Sequence, residues 1–164
     1  MALEDPYNEF TNFILYLFTL ETYIYKVVNK AFLKNAPKNI VQNDKVKLIF
    51  ASRYEDNCSS EDDNIITYVG NFFFTKLGQI LFGLKITDIL YTYVVGSTEI
   101  FKKLNIKNKD FTFCVELPIK AHKKNYLLAT TKSNERARFA GKKKVSAFKD
   151  GFLILISMLK LYFK

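Results

Sequence analysis

The chain has 164 residues, 49% of them hydrophobic, and two cysteines; this allows one substantial core and excludes two ordinary domains and a zinc site of closely repeated cysteines. Its formal charge of +9 is uneven: residues 102–164 carry 16 Lys or Arg against 4 Asp or Glu, and residues 1–101 carry 9 against 12, or −3. Such polarity suits phosphate-bearing partners or an anionic membrane, where each basic residue adds roughly 1 kcal/mol, and equally suits a lysine-rich solubilising surface. Nucleic acid is not the expected partner, because the 16% aromatic content falls on apolar faces and forms no RNA-binding signature.

Residues 10–28 form the first apolar stretch, close to the length of a spanning helix. Glu21 within it would cost about 2.5–3.5 kcal/mol at mid-bilayer, so an amphipathic or core-packed helix is expected, broken at Asn35-Ala-Pro37. Glu4, Asp5 and Glu9 make the leader acidic, against a cleavable signal. Residues 47–52 read as a buried strand. The acidic run Glu61-Asp62-Asp63 invites a metal, but acidic residues ahead of a helix more simply cap it.

Ile65, Ile66, Val69, Phe72, Phe73, Leu77, Ile80 and Leu81 recur at helical spacing and predict a helix over 65–82, ended by Gly83, with that stripe as its core face. Further on, strands are expected at 91–95, 111–115 and 126–131. A short helix is expected at 97–104, one at 116–124 with Pro118 in its first turn, and an amphipathic one at 145–163. The last is apolar nearly all round in its middle, yet Lys160 and Lys164 end it short of a span. Cys58 and Cys114 are expected as free thiols, and His122, among lysines, as a surface residue.

Polar residues punctuate the junctions between these segments: Ala51-Ser-Arg53-Tyr54, Lys85-Ile-Thr-Asp88, Phe113-Cys-Val-Glu116-Leu117, Arg138-Phe-Ala-Gly141-Lys-Lys-Lys144 and Asp150-Gly151. In open α/β sheets, ligands bind at such strand-to-helix hand-overs. Together these motifs resemble the second half of a family 2 glycosyltransferase of the dolichyl-phosphate mannosyltransferase-like group, from about residue 51 almost to the C-terminus. The resemblance implies a partial GT-A, Rossmann-like α/β fold lacking most of the nucleotide-binding half. Residues 1–38 are then an unmatched helical segment, and residues 39–164 the C-terminal part of the catalytic domain.

The implied activity is transfer of a sugar from a nucleotide-sugar donor to polyprenyl phosphate or a related acceptor, at the cytoplasmic face of a membrane. The implied alternative is a non-catalytic module of the same fold that docks on a membrane or a protein. By resemblance Asp88 is the acceptor-side base or its electrostatic partner, and Glu116 binds a sugar hydroxyl or serves as base. Arg138, Gly141 and Lys144 close over the donor diphosphate, with Lys143 where serine is usual. Arg53 receives the acceptor phosphate and Asn71 fits the helix that follows, although Tyr68 stands where another arginine is expected.

Each assignment has a plainer structural counterpart: a turn aspartate, a helix-capping carboxylate, a solvated basic loop. Relatives also carry an Asp-x-Asp for Mg²⁺ or Mn²⁺, which residues 30–37 lack. No metal is therefore assigned to this chain, which is expected to be a shortened version that transfers no sugar by itself. Arg53, Asp88, Glu116 and Arg138 are expected to converge on one cleft.

Overall fold

A computed structural model describes residues 46–137 and 146–164. The segment at 10–28, the break at 35–37 and the diphosphate candidates Arg138, Gly141 and Lys144 lie outside the described residues. The elements run β1 (Val46–Ser52), α1 (Ile65–Phe82), β2 (Val94–Gly96), α2 (Thr98–Leu104), α3 (Phe113–Lys123), β3 (Leu127–Lys132) and α4 (Ala147–Tyr162). Among the described residues this is a mixed α/β structure with a three-stranded sheet of order β2-β1-β3 and four helices.

β1 lies at the centre, antiparallel to β2 and parallel to β3. Successive side chains on a strand face opposite ways. Leu48 and Phe50 enter the main core with Phe74, Ile86, Ile89, Leu117, Ile119, Ile154 and Met158, while Ile49 and Ala51 form a smaller cluster with Tyr91, Val95 and Ala129. The helices thus gather on the face that carries Leu48 and Phe50. Gly96 is required in β2, since a Cβ there would lie 2.4 Å from Leu48 Cδ2 and 2.9 Å from the Lys47 carbonyl oxygen.

Two expectations about elements change. Residues 111–115 are not a strand: Asp110 Oδ1 accepts the Thr112 N–H at 2.9 Å, the Asp110 carbonyl accepts the Phe113 N–H, and α3 starts there. Pro118 consequently sits inside the helix rather than in its first turn. The strand expected at 91–95 shrinks to Val94–Gly96, because Tyr91 turns to the polar centre described below.

The larger change concerns α1. Its ends are where the pattern put them: Asn64 and Thr67 exchange capping-box bonds, and Gly83 closes the helix in the left-handed region at φ 69°. Most of its apolar stripe, however, faces outward, although Leu77 packs against the main core. Ile65 is 82% and Ile80 78% exposed, with Ile66, Val69, Phe72 and Phe73 more than half exposed. Asn71, Phe74, Thr75 and Gly78 are the buried residues. Asn71 Oδ1 accepts the Leu90 N–H and Thr75 Oγ1 the Ile89 N–H, while Gly78 lets Ile89 and Leu84 approach the helix backbone. The segment 84–90 therefore decides which face goes inward.

Candidate functional site: an arginine ringed by carboxylates

Because β1 and β3 run parallel, their carboxyl ends, Ser52 and Lys132, lie side by side. The chain leaving each end is laced to the other: the Ser52 carbonyl accepts the Ser133 N–H at 2.9 Å, that of Ser59 accepts from Glu135, and that of Glu135 accepts from Glu61. Arg53 follows directly after β1 and turns back into this junction.

Its guanidinium forks onto Asp88, with Nε 2.8 Å from Oδ2 and Nη2 3.1 Å from Oδ1. Nη1 donates to Glu135 Oε2 at 2.9 Å and lies 3.2 Å from Asp63 Oδ2. Two aromatic rings lie against the guanidinium, with the centroid of Tyr91 4.5 Å and that of Tyr54 5.2 Å from its carbon. Asp88 is buried, and besides the fork it accepts the Arg53 N–H at 3.2 Å and Asn71 Nδ2 at 2.6 Å. Asp88 from the 84–90 segment, Asp63 before α1 and Glu135 beyond β3 thus meet on the residue that follows β1, and Asn71 from α1 joins them through Asp88.

Three carboxylates about one guanidinium leave a formal charge of −2. Burial alone would lower the Arg53 pKa, but the hydrogen bond and charge of Asp88, followed by Glu135, outweigh it and hold the value above the ordinary one. Burial, then the bond to Asp63, raises the Tyr54 phenol, and burial raises that of Tyr91. Both stay neutral, polar-tipped walls. Tyr68, in place of the expected arginine, packs edge-on to Tyr54 at 5.2 Å. With Arg53, Tyr54, Cys58, Ser60 and Asp63 it lines a hollow of about 340 Å³.

These distances revise several expected roles. Arg53 directs Nε, Nη1 and Nη2 at carboxylates and lies buried in a net negative setting, which disfavours an acceptor phosphate there. Of the two roles considered for Asp88, base or charge partner, the geometry fits the second, because its two oxygens accept four hydrogen bonds. The acidic run before α1 is not its cap. Asn64 caps, Asp63 takes Arg53 and the Tyr54 hydroxyl, and Glu61 takes the Ala137 N–H.

Glu116 does not join this centre. Its carboxylate accepts the N–H groups of Lys107 and Asn108 and pairs with Lys120 one helical turn on, pinning the segment before α3 to the helix. Asp150 similarly accepts the Ser146 N–H at the start of α4. Of the four residues expected to converge, Arg53 and Asp88 meet, Glu116 is occupied elsewhere, and Arg138 is outside the described residues. Glu135, Asp63 and Tyr91 were not expected in the site. Only Asn71, in the helix after the Arg53 motif, carried a signal through the resemblance.

The three carboxylates turn toward the guanidinium, and among the described residues no group of three or more His, Cys, Asp or Glu is placed to hold a metal ion. Cys114 is buried, and burial pushes its thiol pKa up, which makes it inert. No family model, no curated protein and no solved structure matches this chain. Fold and site together define a mixed α/β unit whose two parallel strand ends are tied by an arginine-centred polar cluster.

Proposed function

We propose that the chain is the acceptor-side part of a family 2 glycosyltransferase of the dolichyl-phosphate mannosyltransferase-like group. In this reading the full machinery moves a sugar from a nucleotide-sugar to polyprenyl phosphate, or a related membrane acceptor, at the cytoplasmic face of a membrane. The observation that carries it is the meeting of Arg53, Asn71 and Asp88 at the carboxyl ends of two parallel strands. Arg53 and Asp88 come from the motif segments that bear the resemblance and Asn71 from the helix after the first of them, and strand ends of this kind are where α/β sheets bind ligands.

The Arg53–Asp88 pair then acts as scaffold, fixing the loop after β1 and the chain beyond β3. Phosphate contacts fall to the basic sequence three residues past Glu135, at Arg138 and Lys142 to Lys144; guanidinium and a nearby glycine suit phosphate oxygens. Mg²⁺ or Mn²⁺ belongs to the Asp-x-Asp of a full-length relative. A second reading, a non-catalytic docking module of the same fold, draws support from the exposed aromatic side chains of α4.

Titration with polyprenyl phosphate and with polyprenol in the same detergent micelles tests the acceptor side. Preference for the phosphorylated lipid is expected, while Arg138→Ala should weaken binding on the donor side. A parallel titration with sugar nucleotides, with and without Mn²⁺, tests the donor side. Indifference to the lipid phosphate together with no sugar-nucleotide binding would sink the glycosyltransferase reading, and vesicle binding retained under those conditions would select the docking module.

A further inference from the structure

α4 has three distinct sides. Ile154 and Met158 are buried against the core. At 100° per residue, Phe148, Phe152, Leu159 and Tyr162 fall within one arc next to that buried side. All four are exposed, Phe148 to 82%, and Phe163 just past the helix is exposed to 83%. Lys149 and Lys160, about three turns apart, fall together on the far flank of the aromatic arc and are exposed.

The only acidic residue of the segment, Asp150, is taken up by the Ser146 N–H. An aromatic arc bordered by lysines, with the carboxylate of Asp150 outside the arc, is the make-up of a helix lying in a lipid interface, with rings at the acyl boundary and ammonium groups reaching the headgroups. The outward stripe of α1 lacks that complementarity. It carries one lysine, Lys76, and follows Glu61-Asp62-Asp63, so its charge names no occupant.

We propose that the outer face of α4 seats the protein on an anionic phospholipid surface, Phe148, Phe152, Leu159 and Tyr162 entering the interface and Lys149 and Lys160 meeting lipid phosphates. This gives the membrane part of the functional reading a specific face, and it holds whether or not sugar transfer occurs. Flotation of the full chain with vesicles of phosphatidylcholine alone, and of phosphatidylcholine with a minority of phosphatidylglycerol, tests it.

The chain is expected to float with the anionic vesicles at low salt and to be released as salt rises. Lys149→Gln and Lys160→Gln should each lower partitioning about fivefold, the equivalent of roughly 1 kcal/mol per basic residue. Phe152→Ser and Phe148→Ser, at exposed positions, should lower it on both vesicle types. Absence of flotation, or flotation insensitive to salt and to the lysine substitutions, overturns the proposal. So does concentration-dependent self-association that the phenylalanine substitutions abolish, since the face would then join two copies. Loss of sugar-nucleotide binding with flotation intact would remove the enzymatic reading alone.

Discussion

At Asp88, a carboxylate neutralises an arginine and satisfies an asparagine in the same buried space. Asp88→Asn keeps the shape, loses the charge and places an amide N–H₂ against donors, leaving Arg53 buried beside less than its full set of acceptors. Breaking a buried pair from one side costs about 3–5 kcal/mol, and urea denaturation of the variant should read a loss of that order. Wild-type stability would show the fork to be incidental.

The titration of this region has its own direction. Tyr54, Tyr91 and Cys114 all have raised pKa values in the folded chain. Each therefore favours the fold fully below its unfolded pKa, and the contribution is lost as pH rises above it. Thermal stability should decline in alkali, first near the ordinary thiol value of about 8.5 and further near the ordinary phenol value of about 10. Cys114→Ala should remove the first part of that decline in melting temperature measured against pH. Arg53, also raised, loses protons only beyond that range and contributes no slope within it.

Among the elements, boundaries were more legible than faces. α1 starts after Asn64 and stops before Gly83 because a capping box and a left-handed glycine are local chemistry, written in a few neighbouring residues. Its inward face was not legible. Helical periodicity marks an apolar stripe but is silent on whether the stripe is covered, and here Asn71 and Thr75 go inward because their partners lie in segment 84–90. Residues 111–115 misled for the same reason, since Phe111-Thr-Phe-Cys-Val alternates like a strand while the Asp110 turn starts a helix.

Close packing gives β2 a direct test. Gly96→Ala must push a methyl group into Leu48 and the Lys47 carbonyl, whereas Gly78→Ala meets the far ends of the Ile89 and Leu84 side chains, at 2.8 Å and 3.2 Å. Overpacking costs typically about 1–3 kcal/mol. Chemical denaturation should place Gly96→Ala at the upper end of that range and Gly78→Ala below it. The reverse order would mean that the β1–β2 pairing yields more readily than the α1 interface.

For the molecule as a whole, the alternation of segments made α/β legible, and the motif residues led to half of the centre. Arg53 and Asp88 could be expected together, but their mutual saturation could not. It depends on Glu135, whose approach is a matter of β1 and β3 pairing in parallel, and on Asp63 from the loop before α1. Glu116 matched its motif equally well and closes a local turn instead. A motif match thus left open whether a carboxylate faces a ligand or its own backbone.

That parallel pairing also sets an order of events in folding. Ser52 finds Lys132 80 residues later in the chain, and distant parallel contacts form slowly because a long loop must close before they contribute. α1 and α3 are local and can form early, whereas Arg53 cannot collect Glu135 until β3 has docked. The arginine centre is then a late latch. Asp88→Asn should chiefly raise the unfolding rate and leave the refolding limb of a denaturant chevron little changed. If refolding slowed by the full loss in stability instead, the latch would belong to the nucleus, and the two strand ends would meet before the helices pack.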